Sequence, residues 1–243
     1  MNKTSDYKLT IVIPVYNEEE NIFNLEKRIS GYILNNAHFK SCALFVNDGS
    51  TDNGMEFIKQ VCERNSDFYY LNFETNRGLS AAIKAGIDYT FSPYVGYIDA
   101  DLQTDPDDFA LLSPHVTENA LVMGIRVNRK DSFVKSISSK IANSFRRFMT
   151  KDGVEDTGCP LKIIDINYAK RLPLFTGMHR FLPALILLQN GKIKQVPVRH
   201  YPRTAGKSKF NLSNRLIGPL MDTFAYRWMK KRYINYNIES SNL

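Results

Sequence analysis

The sequence predicts an α/β protein in which a mostly parallel sheet carries helices on both faces. Two observations lead to this fold class. Apolar, often β-branched runs alternate four times with segments of helical periodicity in the first half of the chain, as in successive strand–helix units. The chain has 243 residues, of which 43% are hydrophobic, enough for one large α/β domain with a sizeable core. No repeat or low-complexity linker divides it, so we expect one composite domain.

The elements of the first half follow from apolar patterning. Residues 9–15 form a continuous β-branched run, which predicts a buried strand that ends near Asn17. Apolar side chains then recur at helical spacing over residues 19–34, which predicts the first helix. The other elements predicted in this half are strands at 43–46, 69–72 and 94–98, a helix after the turn at 47–50, and a helix at 79–88.

Polar clusters follow three of these predicted strands. Asn17 and Glu18 come after the first strand, residues 48–52 after the second, and residues 99–103 after the fourth. In open parallel sheets ligands bind beyond the carboxyl ends of the strands. The three clusters therefore predict one binding site at that edge of the sheet.

The second half is less regular. Pro106 predicts the start of a helix, at whose N-terminus the charges of Asp107 and Asp108 are favourable, so we do not interpret these two carboxylates as ligands. A basic segment at 132–149 has its apolar residues at helical spacing. The other elements predicted here are strands at 120–124, 162–166 and 194–198 and a helix at 181–189.

Composition narrows the choice of partner and compartment. The net charge of +7 suits an anionic partner such as a phosphate or an acidic membrane surface, or else reflects a solvated basic face. Nucleic acid is set aside because no binding motif is recognisable. The cysteines Cys42, Cys62 and Cys159 lack metal-like spacing and are typical of a reducing compartment. We expect an intracellular protein, since the sequence has no signal-peptide pattern and no apolar run of the roughly 18 residues that span a bilayer.

Asp99 and Asp101 are the strongest candidates for a metal site. They lie one residue apart, directly after a predicted buried strand. Clustered carboxylate oxygens attract Mg²⁺ or Mn²⁺, which keep coordination positions open for substrate phosphates. Such a pair is also common as a helix cap or a solvated turn, and its position after the fourth strand favours the metal site.

Seven short motifs occur in order along the chain. They are IPVYNE at 13–18, NDGSTD at 47–52, NRGLSAA at 76–82, DADLQ at 99–103, DTGC at 156–159, HRF at 179–181 and RTAGKSKF at 203–210. Together they resemble glycosyltransferase family 2, and within it the dolichol-phosphate mannosyltransferase-like branch that glycosylates polyprenyl phosphates. The resemblance covers about residues 8–212. It implies a GT-A-type nucleotide-sugar-binding fold in a single domain over 1–211, with a nucleotide-binding half at about 8–112 and an acceptor half at about 113–211.

On the donor side, the resemblance assigns roles to residues of the first half. Asp99, Asp101 and Gln103 match metal- and diphosphate-binding positions, and Asp101 is the residue we expect to be a direct ligand of Mg²⁺ or Mn²⁺. The family often has an acidic residue where this chain has Asn47, so the base is open, and we favour a UDP-sugar. The other donor-side residues implied are Pro14, Tyr16, Glu18, Asp48 and Gly78. The alternative for these positions is structural: they turn the chain or cap a helix.

On the acceptor side, the resemblance implies that arginines bind a lipid phosphate. It also implies that the Gly-containing loop with Arg203, Ser208 and Lys209 closes over the donor diphosphate, and the alternative for this loop is a positively charged mobile loop without that role. Arg126 and Arg203 are assigned catalytic roles together with Asp101. A phosphate acceptor needs no strong base, so the implied reaction is a one-step, inverting attack on the anomeric carbon. Asp156 is expected either to orient a sugar hydroxyl or to form a structural salt bridge. The remaining substrate-binding residues implied are Arg129, Ser139, Ser208 and Lys209.

Residues 212–243 form an amphipathic segment with basic and aromatic residues near its end. Such a segment is typical of a helix at a membrane surface, of a helix packed on the domain, or of a contact between copies of the chain. We favour peripheral attachment at the cytoplasmic face of a membrane. Two rival functions remain: a family 2 transferase that acts on a polysaccharide or other soluble hydroxyl, and a nucleotide-sugar-binding scaffold without catalysis.

Overall fold

The fold is taken from a computed structural model that describes residues 3–127, 144, 146–173, 175–201, 212–235 and 239–240. The strands are β1 (Leu9–Val15), β2 (Ser41–Asn47), β3 (Phe68–Asn72), β4 (Tyr94–Tyr97), β5 (Leu121–Arg126), β6 (Lys162–Asp165) and β7 (Ile193–Val198). The helices are α1 (Ile22–Asn35), α2 (Gly54–Arg64), α3 (Leu79–Tyr89), α4 (Phe109–Leu112), α5 (Ile166–Lys170), α6 (Leu182–Leu188) and α7 (Leu212–Lys230). Short 3₁₀ turns include Glu19–Asn21, Pro106–Asp108 and Met178–Arg180.

The strands of the described residues form one sheet in the order β3-β2-β1-β4-β6-β5-β7. The pairs β1–β2, β1–β4, β2–β3 and β5–β7 are parallel, whereas β6 runs antiparallel to both β4 and β5. The predicted mostly parallel sheet is thus confirmed. The one reversed strand was not foreseen, because an apolar run of four to six residues carries no signal of its direction.

Helices cover both faces of the sheet, as predicted. Successive side chains of a strand point to opposite faces, and β1 shows this alternation. Ile11 and Ile13 belong to the core shared with α1, α2 and α4, whereas Val12 belongs to the core shared with α3, α5 and α6. Strand β1 is buried on both sides, which is why its sequence is an unbroken apolar run.

The sheet brings the ends of several elements to one edge. Strands β1, β2 and β4 are parallel, so the residues after Val15, Asn47 and Tyr97 lie at the same edge. Because β6 is antiparallel to β4, it begins at this edge, where Lys162 pairs in register with Tyr97. Strand β5 is also antiparallel to β6 and therefore ends there with Arg126.

Element boundaries depart from the predictions in small ways. The helix predicted at 19–34 begins as a 3₁₀ turn and becomes α-helical only at Ile22. The strand predicted at 162–166 ends at Asp165, whose carboxylate accepts a hydrogen bond from the Asn167 N–H and caps α5. Of the basic helix predicted at 132–149, residues 132–143 and 145 lie outside the described residues, and residues 146–150 are helical.

Gly86 sets how closely α3 approaches the sheet. A Cβ atom at this position would lie less than 3.0 Å from both Cγ atoms of Val12 on β1. We expect Gly86→Ala to lower the free energy of unfolding by about 1–3 kcal/mol, because it overpacks this contact, in a chemical denaturation experiment.

Gly31 on α1 is the matched control, since nothing lies within 4 Å of a Cβ built there. Gly31→Ala should raise the free energy of unfolding by about 0.5–1 kcal/mol. Val12→Ala should recover part of the Gly86→Ala loss. An equal effect of the two glycine substitutions would contradict the packing argument.

Candidate active site

Asp48 fixes the loop that precedes α3. It follows β2 and is 4% exposed. Its Oδ1 accepts a hydrogen bond from the Arg77 N–H at 2.7 Å, and its Oδ2 accepts from the Gly78 N–H at 2.8 Å and from Asn76 Nδ2 at 2.9 Å. Burial raises the pKa of Asp48, and the two backbone N–H groups oppose that shift. The carboxylate therefore organises the Asn76–Gly78 loop, a role the sequence did not reveal.

Gly78 is suited to close approach of a ligand. Its φ of +87° lies in the region that favours glycine, and a Cβ built on it would meet no atom within 4 Å.

The predicted nucleoside-pocket residues Pro14, Tyr16 and Glu18 are each half-buried at the end of β1. Glu18 Oε2 accepts from Asn21 Nδ2 at 2.8 Å. Their contact with a nucleoside stays a prediction.

The NDGSTD loop is bound to the end of β1. Asn17, with φ +50°, accepts from the Thr51 N–H at 2.7 Å, while its own N–H donates to Ser50 Oγ at 2.9 Å. Gly49, with φ +65°, lies so close to the next loop that a Cβ would come within 2.5 Å of the Thr75 carbonyl carbon. These contacts join the first two predicted polar clusters into one surface.

The third cluster holds the acidic pair. The Tyr97 hydroxyl donates a hydrogen bond to Asp99 Oδ1. Burial and the neighbouring charge of Asp101 raise the pKa of Asp99 to about 6. The Tyr97 hydroxyl and the buried cations of Lys162 and Arg126 oppose this shift. A bound divalent cation would favour the ionised carboxylate in the same way, so cation binding and loss of this proton are coupled.

The loop that follows these carboxylates is strained. Leu102 has φ +56°, a conformation that leucine seldom adopts, and is only 6% exposed. Its burial in the core therefore imposes the loop geometry. Asp101 Oδ1 accepts from the Gln103 N–H at 3.1 Å, which closes the loop behind the acidic pair.

The donor set fits a hard cation that shares its shell with substrate. Asp99, Asp101 and the side-chain oxygen of Gln103 are the oxygen ligands that Mg²⁺ and Mn²⁺ prefer. In the described part of the chain, no group of three or more His, Cys, Asp or Glu side chains is placed to hold a metal ion alone. The pair would thus supply part of the shell and leave positions for phosphate oxygens.

His200 is a candidate site residue that the sequence did not single out. The Tyr201 N–H donates to the Gln103 carbonyl at 2.9 Å, and the Arg199 N–H donates to Asp108 Oδ2 at 3.0 Å. His200 lies between these two contacts, of which the first is to the loop that follows the acidic pair and the second is to the 3₁₀ turn at 106–108. Its place directly after β7 and before the RTAGKSKF motif was the available signal. Asp108, interpreted as a helix-start charge, is 1% exposed and fastens this segment.

Arg126 and Asp156 form a bidentate ion pair at the same edge. Arg126 Nε donates to Asp156 Oδ2 at 2.7 Å and Nη2 donates to Oδ1 at 2.8 Å. Gly158 lies against the guanidinium, since a Cβ there would come within 2.8 Å of Nη2. Of the two roles considered for Asp156, the structure contains the salt bridge. The bidentate pair uses two of the five N–H donors of the Arg126 guanidinium.

His179 joins the helix layer to the donor-side loop. Ser80, at the start of α3, lies with its Oγ 2.9 Å from His179 Nδ1 and accepts from the Gly177 N–H at 3.0 Å. Burial lowers the pKa of His179 to about 3, so the imidazole is neutral at ordinary pH. A ring held neutral in this way serves as a hydrogen-bonding group to Ser80.

Five of the implied site residues lie outside the described residues, namely Arg129, Ser139, Arg203, Ser208 and Lys209. The structure brings together the other implied residues of both halves at one edge of the sheet: Asp48 and Gly78 on one side, the acidic pair in the middle, and Arg126 with Asp156 beyond it.

A sequence profile and two similar curated relatives all indicate glycosyltransferases. The sequence profile described as Glycosyl transferase family 2 matches residues 10–172. The dodecaprenyl-phosphate galacturonate synthase of Rhizobium johnstonii is 31% identical over 233 residues, which cover 93% of this chain and 69% of that protein. The undecaprenyl-phosphate 4-deoxy-4-formamido-L-arabinose transferase of Salmonella paratyphi A is 31% identical over 223 residues, which cover 88% of this chain and 66% of that protein. The chain thus spans about two thirds of the length of these relatives.

Solved structures show the same fold. Glucosyl-3-phosphoglycerate synthase from Mycobacterium tuberculosis, in complex with Mn²⁺, UDP-glucose and phosphoglyceric acid, matches with a TM-score of 0.68 at 14% identity, covering 94% of this chain and 81% of that chain. Its complex with Mn²⁺, UDP and glucosyl-3-phosphoglycerate gives a TM-score of 0.70. At this identity the likeness concerns the fold alone, and it confirms the implied GT-A architecture.

The neutral, buried imidazole of His179 predicts a pH dependence of stability. Its pKa is about 3 in the folded protein against an ordinary value of 6.5, so between these values the unfolded chain binds a proton that the folded chain does not. The free energy of unfolding should therefore fall as pH falls below 6.5, by about 2 kcal/mol at pH 5 from this residue. In urea titrations at pH 7.5 and pH 5, His179→Asn should lack that part of the decrease.

His38 provides the control because its side chain is exposed. His38→Asn should keep the pH dependence of the unsubstituted protein. If His179→Asn loses as much stability between the two pH values as the unsubstituted chain does, the ring is not held neutral by the fold.

Proposed function

Since the chain belongs to glycosyl transferase family 2, we propose that it transfers a sugar from a nucleoside diphosphate sugar, most favourably a UDP-sugar, to a polyprenyl phosphate. The product is a lipid-linked monosaccharide. The names of the relatives support this acceptor, since one is a dodecaprenyl-phosphate galacturonate synthase and the other acts on undecaprenyl phosphate.

One observation carries the proposal. The carboxylates of Asp99 and Asp101 share an edge of the sheet with the guanidinium of Arg126, whose charge is near enough to oppose the rise in the pKa of Asp99. A transfer between two phosphate-bearing molecules needs both signs of charge in one site, a cation site for the leaving diphosphate and a fixed cation for the incoming phosphate. This arrangement supplies both.

On the donor side, the chain holds the nucleotide-sugar by its loops. The Asp48 carboxylate fixes the Asn76–Gly78 loop, so that Gly78 presents backbone beside the donor without a side chain in the way. Asp99, Asp101 and Gln103 are the residues that would hold Mg²⁺ or Mn²⁺, and when bound the cation neutralises charge on the diphosphate. Tyr97 holds one carboxylate in place through its hydroxyl.

On the acceptor side, Arg126 binds and orients the lipid phosphate. Asp156 holds two donors of its guanidinium, so the group is fixed before the acceptor arrives and little ordering remains to be done on binding. A phosphate oxygen attacks the anomeric carbon, the bond from that carbon to the donor diphosphate breaks, and the configuration inverts. The nucleophile already carries negative charge, so no side chain has to remove a proton.

The same geometry disfavours a hydroxyl acceptor. Transfer to a sugar hydroxyl requires a base, and the candidate on the acceptor side is Asp156. Both oxygens of Asp156 accept hydrogen bonds from Arg126, so this carboxylate is committed to the ion pair. A scaffold that only binds a nucleotide-sugar does not require a fixed arginine beside the acidic pair.

The helix α7 supports a location at a membrane surface. Its inner face is packed on the domain, since Tyr226 is 1% exposed and stacks on Phe181 at 5.9 Å between ring centroids. Its outer face exposes a stripe at helical spacing, Leu220, Phe224 and Trp228, with Met221 beside it. None of the helices in the described ranges is both long and apolar enough to cross a bilayer.

Basic residues surround this stripe. Arg227, Lys231 and Arg232 are exposed, and the Arg232 guanidinium lies 5.0 Å from the centroid of the Trp228 ring. Apolar side chains flanked by basic and aromatic residues bind the interface of an anionic bilayer. We therefore place the outer face of α7 against the cytoplasmic face of a membrane, where a polyprenyl-phosphate acceptor resides.

The transferase activity is tested with labelled UDP- and GDP-sugars, Mg²⁺ or Mn²⁺, and undecaprenyl or dolichyl phosphate. At least one donor should yield a glycolipid that requires the cation and the lipid phosphate. Asp101→Asn should lower turnover by about 100-fold or more, because it removes a charged ligand of the cation. Failure of every donor would falsify the proposal.

Asp107→Asn is the matched control, since Asp107 is an exposed carboxylate of the same loop region. It should retain full turnover, and both variants should have the thermal melting profile of the unsubstituted chain. Nucleotide binding without any turnover in the unsubstituted protein would favour the scaffold instead.

The membrane contact is tested by sedimentation with vesicles that contain anionic lipid. Phe224→Ser combined with Trp228→Ser should lower the partition coefficient about 30-fold or more, since two large apolar side chains no longer enter the interface. Leu34→Ser, at a leucine on α1 that is more exposed than either residue, should leave binding unchanged. Unaltered partitioning of the double variant, or a change in oligomeric state in place of vesicle binding, would rule out this face as the membrane contact.

A further inference from the structure

Lys162 is a buried lysine that the proposed function has not used. It opens β6 and is 1% exposed. In register it pairs with Tyr97 on β4 and with Met123 on β5. Its strand is therefore an inner strand of the sheet, and Lys162 lies at the end of that strand where the site is. A lysine is rarely enclosed in this way, because moving an ammonium from water into a protein interior is costly unless its N–H donors are satisfied.

The Lys162 ammonium is satisfied mainly by a turn of the main chain. Its Nζ donates to the Cys159 carbonyl and lies 3.5 Å from the Thr157 carbonyl. It also lies 5.6 Å from the centroid of the Tyr97 ring. Burial lowers the pKa of Lys162, and the charges of Asp99 and Asp156 are among the influences that oppose this shift. The group therefore lies between the acidic pair and the acceptor-side ion pair.

The turn that Lys162 holds is the one that carries Asp156. Residues 156–159 begin with the carboxylate that grips Arg126 through two hydrogen bonds, and Gly158 lies against the same guanidinium. The chain of contacts thus runs from the ammonium to two carbonyls, along the turn to Asp156, and from Asp156 to Arg126.

We propose that Lys162 is a positioning residue for sugar transfer, which fixes the 156–159 turn and, through Asp156, the guanidinium of Arg126. The inference rests on the proposed function wherever transfer is the measurement. A displacement of about 1 Å in a group that orients a reactant lowers the rate by as much as about 100-fold. A buried cation that anchors two carbonyls of one short turn restricts such displacement more than apolar packing does, because its hydrogen bonds are directional.

The first test replaces the ammonium by an apolar group of similar length, Lys162→Met. We expect kcat/KM for the lipid phosphate to fall about 10-fold or more. The dissociation constant for UDP and a divalent cation, measured by calorimetry, should not rise by more than about 2-fold, because loss of a positive charge near Asp99 does not weaken cation binding. Ile58→Ala is the matched control, because Ile58 is fully buried on α2. Helix α2 packs on β3, which is the outermost strand on the side of the sheet away from β6 and β5. This substitution should affect stability without the acceptor-specific loss.

A double-substitution cycle distinguishes positioning from general damage. If Lys162 acts through Arg126, then Lys162→Met added to Arg126→Ala should lower kcat/KM for the acceptor by less than about 2-fold further. An undiminished loss in that background would overturn the inference. Lys162→Gln keeps a neutral N–H donor for the carbonyls, so its kcat/KM for the acceptor should lie between those of Lys162→Met and the unsubstituted chain. This variant replaces Lys162→Met in the cycle if Lys162→Met does not fold.

Amide hydrogen exchange tests the same contacts without reference to activity. Lys162→Met or Lys162→Gln should speed exchange at the amides of Thr157 to Cys159 and leave those of Arg77 and Gly78 unchanged. If no donor is transferred by the unsubstituted chain, the proposed function fails while this measurement still decides the role of Lys162. Unchanged exchange in the 156–159 turn would overturn the inference.

Discussion

Strand β6 runs against its neighbours, and the composition of the site depends on that reversal. A parallel strand between β4 and β5 would begin at the opposite edge of the sheet and carry its preceding loop away from the acidic pair. Because β6 is antiparallel to both, the loop before it arrives at the edge where β4 ends. Asp156 and Lys162 thereby come to the same edge as Asp99, although more than fifty residues separate them from it in the sequence.

Charge balance follows from this topology. The edge gathers the carboxylates of Asp99, Asp101 and Asp156 and the cations of Arg126 and Lys162, all of them at least partly withdrawn from water. The two cations stabilise ionised carboxylates, yet the pKa of Asp99 is still raised to about 6, first by burial and then by the charge of Asp101. A further cation bound at this site would stabilise the ionised form of both carboxylates.

The first half of the site was accessible from the sequence for a physical reason. Strands buried on both faces have continuous apolar sequences, so the ends of β1, β2 and β4 could be located. The polar residues after those ends were then expected at one edge of a parallel sheet. The two-sided helix cover followed from the same alternation.

The partnerships within the site were not accessible in this way. Asp48 has its three donors in a loop 28 to 30 residues away, and Arg126 is 30 residues from Asp156. Lys162 looks like an ordinary charged residue at the start of a short strand, since a single sequence does not give its burial. Each of these depends on strand order and direction, which apolar periodicity does not encode.

The C-terminal helix shows how the structure narrows the alternatives that its sequence leaves open. The inner face of α7 is bound to the turn at 178–181, where Tyr226 stacks on Phe181 and Asp222 pairs with Arg180 at 3.6 Å. An amphipathic helix that only packs on its own domain would direct its largest apolar groups inward. Here Phe224 and Trp228 are 52% and 62% exposed. The helix is both packed and apolar on the outside, so its fixed inner face determines which side of the domain would face the proposed membrane.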